Sequence, residues 1–385
     1  MRILIAPDKF KGSMSANDVG QAIRDGLLSG DPSTECIVVP LADGGEGTTE
    51  VLTTASAGTY RTIIARDPLG ERVSAQYGLT PERETAFIEM AAASGLNLVP
   101  KDRRNPLLTS SFGTGEMIRH ALDSGVKNIC IGIGGTATND AGIGAMIALG
   151  IRFFDTKGKI LEGIGDSLDK IDRLDASDLH PKMGEATFTI FCDVDNPLYG
   201  ERGAAVVFAP QKGATPEDVQ VLDRGLRHYE SVLQRYGYSN TNFPGAGAGG
   251  GFPVSLSVFG KAVIQPGINF IMEYVKLEDL IKSSDVIITG EGKLDDQTLS
   301  GKVVKGVSTL AALHRKPLAV VAGISTLNNS DLTRLGIARL ITLADDHTSV
   351  ETAIANGPEL LRKRVRDNYL AITGRQQASG LPDSQ

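Results

Sequence analysis

Short apolar runs, each closed by an acidic or glycine-rich turn, recur along this chain of 385 residues. Arg2 to Ala6 ends at Pro7-Asp8, and Cys36 to Pro40 ends at Leu41-Ala42-Asp43. Between them Ser15 reads as a helix N-cap with Asp18 three residues on. Val19, Ile23 and Leu27 then recur at one-turn spacing, and Gly30 ends the helix. The reading is a βαβ unit whose polar residues lie at the carboxyl ends of its strands, the edge where open parallel sheets bind ligands.

After about residue 58 the pattern changes. Tyr60 to Arg66, Val73 to Leu79 and Thr85 to Met90 read as an antiparallel meander, separated by the turns Asp67-Pro68-Leu69-Gly70 and Thr80-Pro81-Glu82-Arg83. A helix from Gly115, a strand over Asn128 to Ile133, a helix from Asp140 and a strand over Ile151 to Asp155 follow. Thr187 to Asp193 and Ala204 to Phe208 read as strands, and Pro216 to Tyr236 as a long helix with Val219, Leu222, Leu226, Tyr229 and Leu233 on one face. Beyond the glycine-rich stretch Gly245 to Gly251 the βα alternation resumes, with strands at Val286 to Thr289, Leu318 to Ala322 and Ala338 to Leu343. The expected fold class is α/β: a flavodoxin-like parallel-sheet domain, residues 1–57 plus 257–370, carrying an inserted mixed α/β domain, residues 58–256. The tail 371–385 is expected to fray.

A hydrophobic fraction of 41% and a charged fraction of 22% suit a globular enzyme. A net charge of −7, aromatics at 5% and no Trp argue against nucleic acid and anionic membrane as partners. Three separated cysteines, Cys36, Cys130 and Cys192, read as free thiols in a reducing compartment. No run of about 18 apolar residues suggests a membrane span, and Pro7-Asp8 breaks the only apolar stretch near the start, so a cytoplasmic protein is expected.

Five clusters carry candidate chemistry. Asp8, Lys9 and Lys11 put a carboxylate and cations beside a helix start; the plain alternative is a charged turn. Asp43-Gly44-Gly45-Glu46-Gly47-Thr48 sets two acids among glycines that let backbone approach a ligand. Gly132-Ile133-Gly134-Gly135-Thr136-Ala137-Thr138-Asn139-Asp140 follows a strand, and its amides could cradle phosphates. With Asp155 it also mimics a dinucleotide fingerprint. Asp193 and Asp195, before Asn196-Pro197, are the candidate metal ligands. Of the two, Asp193 is preferred, as magnesium ligand or general base. Gly290-Glu291-Gly292-Lys293 through Asp295, Asp296, Ser300, Gly301 and Lys302 reads as a loop dense in ionisable groups, but it is not a Walker A motif. Asp345-Asp346-His347 reads as a solvated turn. Carboxylates, lysines and glycine turns are what phosphoryl transfer requires, and no Ser-His-Asp or Cys-His set stands out.

Taken together, Ile5 to Ser13, Ala42 to Thr48, Gly134 to Gly142, Asp193 to Leu198 and Thr289 to Lys293 with Ser300-Gly301-Lys302 resemble the bacterial type-1 glycerate kinases, from residue 1 to about 370. The resemblance implies ATP-dependent, Mg²⁺-dependent phosphorylation of D-glycerate, mostly at the C2 hydroxyl, by two α/β domains with the active site in the cleft between them. It implies Lys11 and Lys293 on the glycerate carboxylate or the transferring phosphate, and Asp8, Asp43 and Glu46 near the substrate. Gly134, Gly135, Thr136, Asn139 and Asp140 would hold the nucleotide, and Asp193 the attacking hydroxyl or the metal, with Asp296 as rival. Lys9 stands where many relatives carry serine. Two other readings stay open: an NAD-dependent hydroxy-acid dehydrogenase built on Gly132 to Asp155, and a two-lobed binding protein without catalysis. Monomer and homodimer are equally open.

Overall fold

The computed structural model describes residues 1–300 and 302–374. The chain divides into two units, Met1–Asp43 with Ile268–Gln385, and Gly44–Gly267.

In the first unit the runs of Ile, Val and Leu form five parallel strands, Arg2–Ile5, Glu35–Val38, Val286–Leu294, Leu318–Ser325 and Ile337–Thr342. Numbered within the unit, their spatial order is 2-1-3-4-5, the flavodoxin order expected from the sequence. The order reverses between Arg2–Ile5 and Val286–Leu294, so a crevice forms where these two neighbours end. Backbone pairing continues past both strands: the Asp8 N–H donates to the Gly290 carbonyl at 2.8 Å and the Leu41 N–H to the Pro7 carbonyl at 2.8 Å. The helix Ala16–Gly30 begins at a capping box in which Ser15 and Asp18 satisfy each other's backbone N–H. It buries Val19, Ile23 and Leu27 in a core with Ile3, Ile5, Ile288, Val321 and Leu361.

Val286–Leu294 is longer than the sequence suggests. Gly290 to Lys293, expected as loop, continue the strand. The glycines serve strand contact there: a Cβ on Gly290 would lie 2.3 Å from the Val321 carbonyl oxygen. Gly301 lies outside the described residues, as does the expected frayed tail from residue 375. Tyr369–Thr373, part of that stretch's approach, is helical.

The second unit holds a six-stranded mixed sheet. Val263–Gln265, Thr187–Phe191, Asn128–Gly132 and Thr85–Glu89 run parallel in that order, and Arg72–Leu79 and Thr59–Arg66 complete it antiparallel. The meander is as read. Its core joins Ile88, Ile131 and Ile190 from the sheet to Leu222, Leu226, Tyr229 and Leu233 from the helix Pro216–Arg235. Two readings change. Ala204–Phe208 is a helix, not a strand; Ala204, Ala205 and Ala209 are buried while Val206 and Val207 are exposed, a spacing that suits a helical turn. Arg152–Phe154 is a strand, as read, and pairs with Arg173–Asp175 in a separate two-stranded ribbon. The helix Thr48–Ala55 packs with the second unit, where Thr53 lies against Gly78 of the sheet, so the division falls at 43/44 and 267/268 rather than at 57/58 and 256/257.

Candidate functional site

The first unit gathers acids at its switch point. Asp8, just past Arg2–Ile5, is only 8% exposed, and its Oδ1 accepts the Lys9 N–H at 2.7 Å. Burial, then the charge of Asp43, pushes its carboxyl up to about 7. Glu291, 6% exposed on the adjoining strand, is pushed up to about 7 by burial, against a hydrogen bond from the Thr298 hydroxyl and the charge of Lys302. Asp43 raises both. Burial and neighbouring negative charge thus disfavour the ionised forms of Asp8 and Glu291. The cations lie on the rim. Lys293 pairs with Asp295 at 3.0 Å, Lys302 donates to Gln297 at 3.1 Å, and Lys11 is exposed on a turn whose backbone passes Gly292. Asp296 is exposed. Burial of this kind costs stability, which makes the cluster a candidate functional site.

The second unit brings the glycine turns together. Gly44 and Gly47 have φ of 96° and 91°, and Gly47 is the N-cap of Thr48–Ala55. The cap comes from a distant side chain: Glu89 accepts the Gly47 N–H at 3.1 Å and the Thr49 N–H at 2.8 Å. Glu46 is exposed. Gly132 and Gly134 pack against this turn, with the Gly132 Cβ position 2.8 Å from the Gly44 oxygen and that of Gly134 3.4 Å from the Gly45 Cα. Gly134 and Gly135 are exposed, while Thr136 to Asp140 turn inward.

That inward stretch is tightly held. Leu96 N–H donates to Gly135 O at 2.8 Å, Ala137 N–H to Ser94 O at 2.9 Å, and the Thr109 hydroxyl to Ala137 O at 2.9 Å. Asp140, fully buried, accepts from Ser111 N–H, Ser111 Oγ, Gly142 N–H and Gly144 N–H at 2.7–3.3 Å. Its carboxylate is thus occupied by the protein itself. Asn139 and Thr138 differ: both are 0% exposed, yet neither amide atom of Asn139 nor the Thr138 hydroxyl has a hydrogen-bond partner. Buried polar atoms left unpaired are costly, and they fit a turn that completes its bonding on a polar ligand.

Behind the turn, Gly249, Gly250 and Gly251 all have positive φ. A Cβ on Gly250 would lie 2.0 Å from the Thr138 oxygen and 2.7 Å from the Asn139 Cα. Gly250→Ala should therefore displace the turn and cost at least about 2 kcal/mol in urea unfolding. Gly237→Ala, also at positive φ but with open space around it, should cost about 1 kcal/mol or less. Equal effects would show that the close approach is unimportant.

Asp193 and Asp195 part company after Thr187–Phe191. Asp193 is exposed and its Oδ1 accepts the Gly267 N–H at 3.2 Å; Asp195 pairs with Arg202 at 2.6 Å. No group of three or more His, Cys, Asp or Glu able to hold a metal occurs among the described residues. The dinucleotide fingerprint loses its geometry. The helix after Gly132 begins only at Ile143, and Asp155 accepts the N–H groups of Lys157 and Lys159 in its own turn. Asp345 likewise accepts the His347 N–H and pairs with Arg364.

The family model for the glycerate kinase family matches residues 3–372. The chain belongs to the glycerate kinase family. A glycerate kinase from Halalkalibacterium halodurans is 40% identical over 95% of this chain and 96% of its own. A glycerate 2-kinase from Escherichia coli K12 is 44% identical over 85% of this chain and 86% of its own. A crystal structure of a protein assigned as glycerate kinase 2 from Salmonella typhimurium LT2 superposes with a TM-score of 0.87 at 41% identity, covering 98% of this chain and 99% of that one. The dehydrogenase and binding-protein readings find no support among these relatives. Within this glycerate kinase family chain, the sequence reading had not singled out Glu291 as a site residue, nor Glu89, Thr298 or Lys212. The signal for Glu291 is local: it is the first acid after the apolar run Val286-Ile287-Ile288. Glu89 and Lys212 reach their partners across 40 or more residues, a separation that no local pattern encodes.

Proposed function

We propose that this chain transfers the γ-phosphoryl group of ATP to D-glycerate, at the C2 hydroxyl, giving 2-phosphoglycerate and ADP in the cytoplasm. Membership of the glycerate kinase family supports the acceptor. The observation that carries the site is the buried pair Asp8 and Glu291 at the switch point, with the half-buried Asp43 beside them and both buried carboxyls pushed up to about 7. With carboxyls raised to about 7, Asp8 and Glu291 can both donate and accept hydrogen bonds to hydroxyl groups, and they repel the substrate carboxylate less than two full charges would. Lys11 and Lys293 neutralise the carboxylate or the moving phosphoryl group. Gly134 and Gly135 offer exposed backbone to the nucleotide phosphates, with Thr136 buried beside them, and Asn139 has an unpaired amide.

Asp193 orients the C2 hydroxyl and accepts its proton. The donor set fits Mg²⁺, which commonly takes one or two carboxylates and fills its other positions with phosphate oxygen and water. Asp193, with Asp195 as second candidate, would hold it, and the ion would neutralise charge on the phosphates. Asp296 remains the rival base. No helix among the described residues is long and apolar enough to cross a membrane.

The test is ADP release by the purified chain with ATP, Mg²⁺ and a panel of small hydroxy acids. Release that depends on D-glycerate, and falls at least tenfold for lactate, is expected. Glycerate binding with no ADP formed would overturn the proposal.

A further inference from the structure

The buried cation of the second unit has no role in the reading so far. Lys212 ends the short 3₁₀ turn Pro210–Lys212 and is 4% exposed. Its Nζ donates to the Thr136 hydroxyl at 3.2 Å and to the Thr138 carbonyl at 2.7 Å. Both partners lie in the inward part of the Gly134–Asp140 turn. The backbone directs the side chain there: Gly213, at φ 96°, follows at once, and a Cβ on it would lie 2.3 Å from the Arg104 oxygen. An ammonium group has three N–H donors, and two are accounted for by Thr136 and Thr138.

We propose that Lys212 is a positioning residue of the nucleotide site, fixing Thr136 and Thr138 and placing one positive charge beneath the turn that takes the ATP phosphates. This rests on the nucleotide reading of Gly134 to Asn139. A lysine used only for packing would be replaceable by an apolar side chain of similar length, because burying an ammonium costs more than a hydrophobic isostere. Here burial pulls Lys212 down to about 8, and the charge of Asp140 opposes the fall, so the group is mostly cationic at neutral pH. Asp140 is not its contact partner; that carboxylate is bonded to Ser111, Gly142 and Gly144. The ammonium is therefore directed at the turn, and its charge is only distantly compensated. Close to Thr136, the turn also has the unpaired Asn139 amide and Thr138 hydroxyl, so the partners of the cation and the unpaired groups all lie between Thr136 and Asn139.

Two variants separate this from a purely structural role. Lys212→Met removes charge and donors while keeping length; Lys212→Gln keeps N–H donors and removes the charge. ATP affinity is measured by calorimetry without glycerate, and both Michaelis constants by ADP release. Lys212→Met should weaken ATP binding at least tenfold and Lys212→Gln at least threefold, with the KM for glycerate within twofold of the parent. Thermal unfolding reports whether each variant is folded. If Lys212→Met does not fold, Lys212→Gln carries the test alone. Unchanged ATP affinity in a folded variant overturns the proposal, as does an equal rise in both Michaelis constants. If the parent protein itself binds no ATP while still folded, the nucleotide reading of the turn fails instead, and the two failures are thereby distinguished.

Discussion

Asp193→Asn should lower kcat by about 10²–10⁴-fold, the range a positioned general base contributes, while the urea midpoint stays unchanged. The side chain is exposed, and the hydrogen bond that its Oδ1 accepts from the Gly267 N–H is available to an asparagine oxygen as well. Fold and activity should therefore separate cleanly at this position. Asp195→Asn is the companion variant. Asp195 forms an exposed ion pair with Arg202, and such pairs contribute about 0–1 kcal/mol. If Asp195→Asn, rather than Asp193→Asn, abolishes turnover, the base or metal ligand has been misassigned. Parental kcat in both variants would move the role to Asp296.

Asp8→Asn should make the protein more stable at pH 8 and nearly inactive. The carboxyl of Asp8 is raised from 3.8 to about 7 in the folded chain, chiefly by burial. Below pH 4 folded and unfolded chains both hold the proton, and Asp8 imposes no penalty. Between about pH 4 and 7 the folded chain binds more protons than the unfolded one, so stability falls as pH rises, by up to ~1.4 kcal/mol per pH unit. Above pH 7 the penalty is complete, on the order of 2–4 kcal/mol. Asparagine removes it and keeps an oxygen for the Lys9 N–H. Urea unfolding should thus show Asp8→Asn matching the parent near pH 4 and exceeding it at pH 8. A lost charged hydrogen bond to substrate should cut kcat/KM for glycerate about 10²-fold. A variant that gains no stability at pH 8, or that keeps full kcat/KM, would show that this cluster is not the strained substrate site inferred here. Stability given up for function at one spot is the pattern expected of an active site.

Much of this architecture was legible because the physics behind it is local. Ser15 and Asp18 form the capping box their spacing announces, and the runs Ile3-Leu4-Ile5, Val286-Ile287-Ile288 and Val320-Val321 are parallel strands buried on both faces. Asp8 and Asp43 were legible as acids just past strands, since a parallel sheet brings strand ends to one edge, whereas Glu291 was not singled out. What failed was local ambiguity or long-range pairing. Ala204 to Phe208 is too short for period to distinguish helix from strand. Gly290 and Gly292 look like loop residues, but they let neighbouring backbone close up: a Cβ on Gly290 would lie 2.3 Å from the Val321 oxygen, and one on Gly292 3.2 Å from the Lys11 nitrogen. Asp140 reads as a ligand in the motif, yet its four bonds go to Ser111, Gly142 and Gly144. Glu89 and Lys212 meet the two glycine turns only through the tertiary fold.

The proposed reaction is tested most directly by the product itself. With the purified chain, ATP, Mg²⁺ and ¹³C-labelled D-glycerate, NMR should show phosphorus coupled to C2, with one ADP formed per phosphorylated glycerate. Phosphorus on C3, or ADP formed without any phosphorylated glycerate, would contradict it.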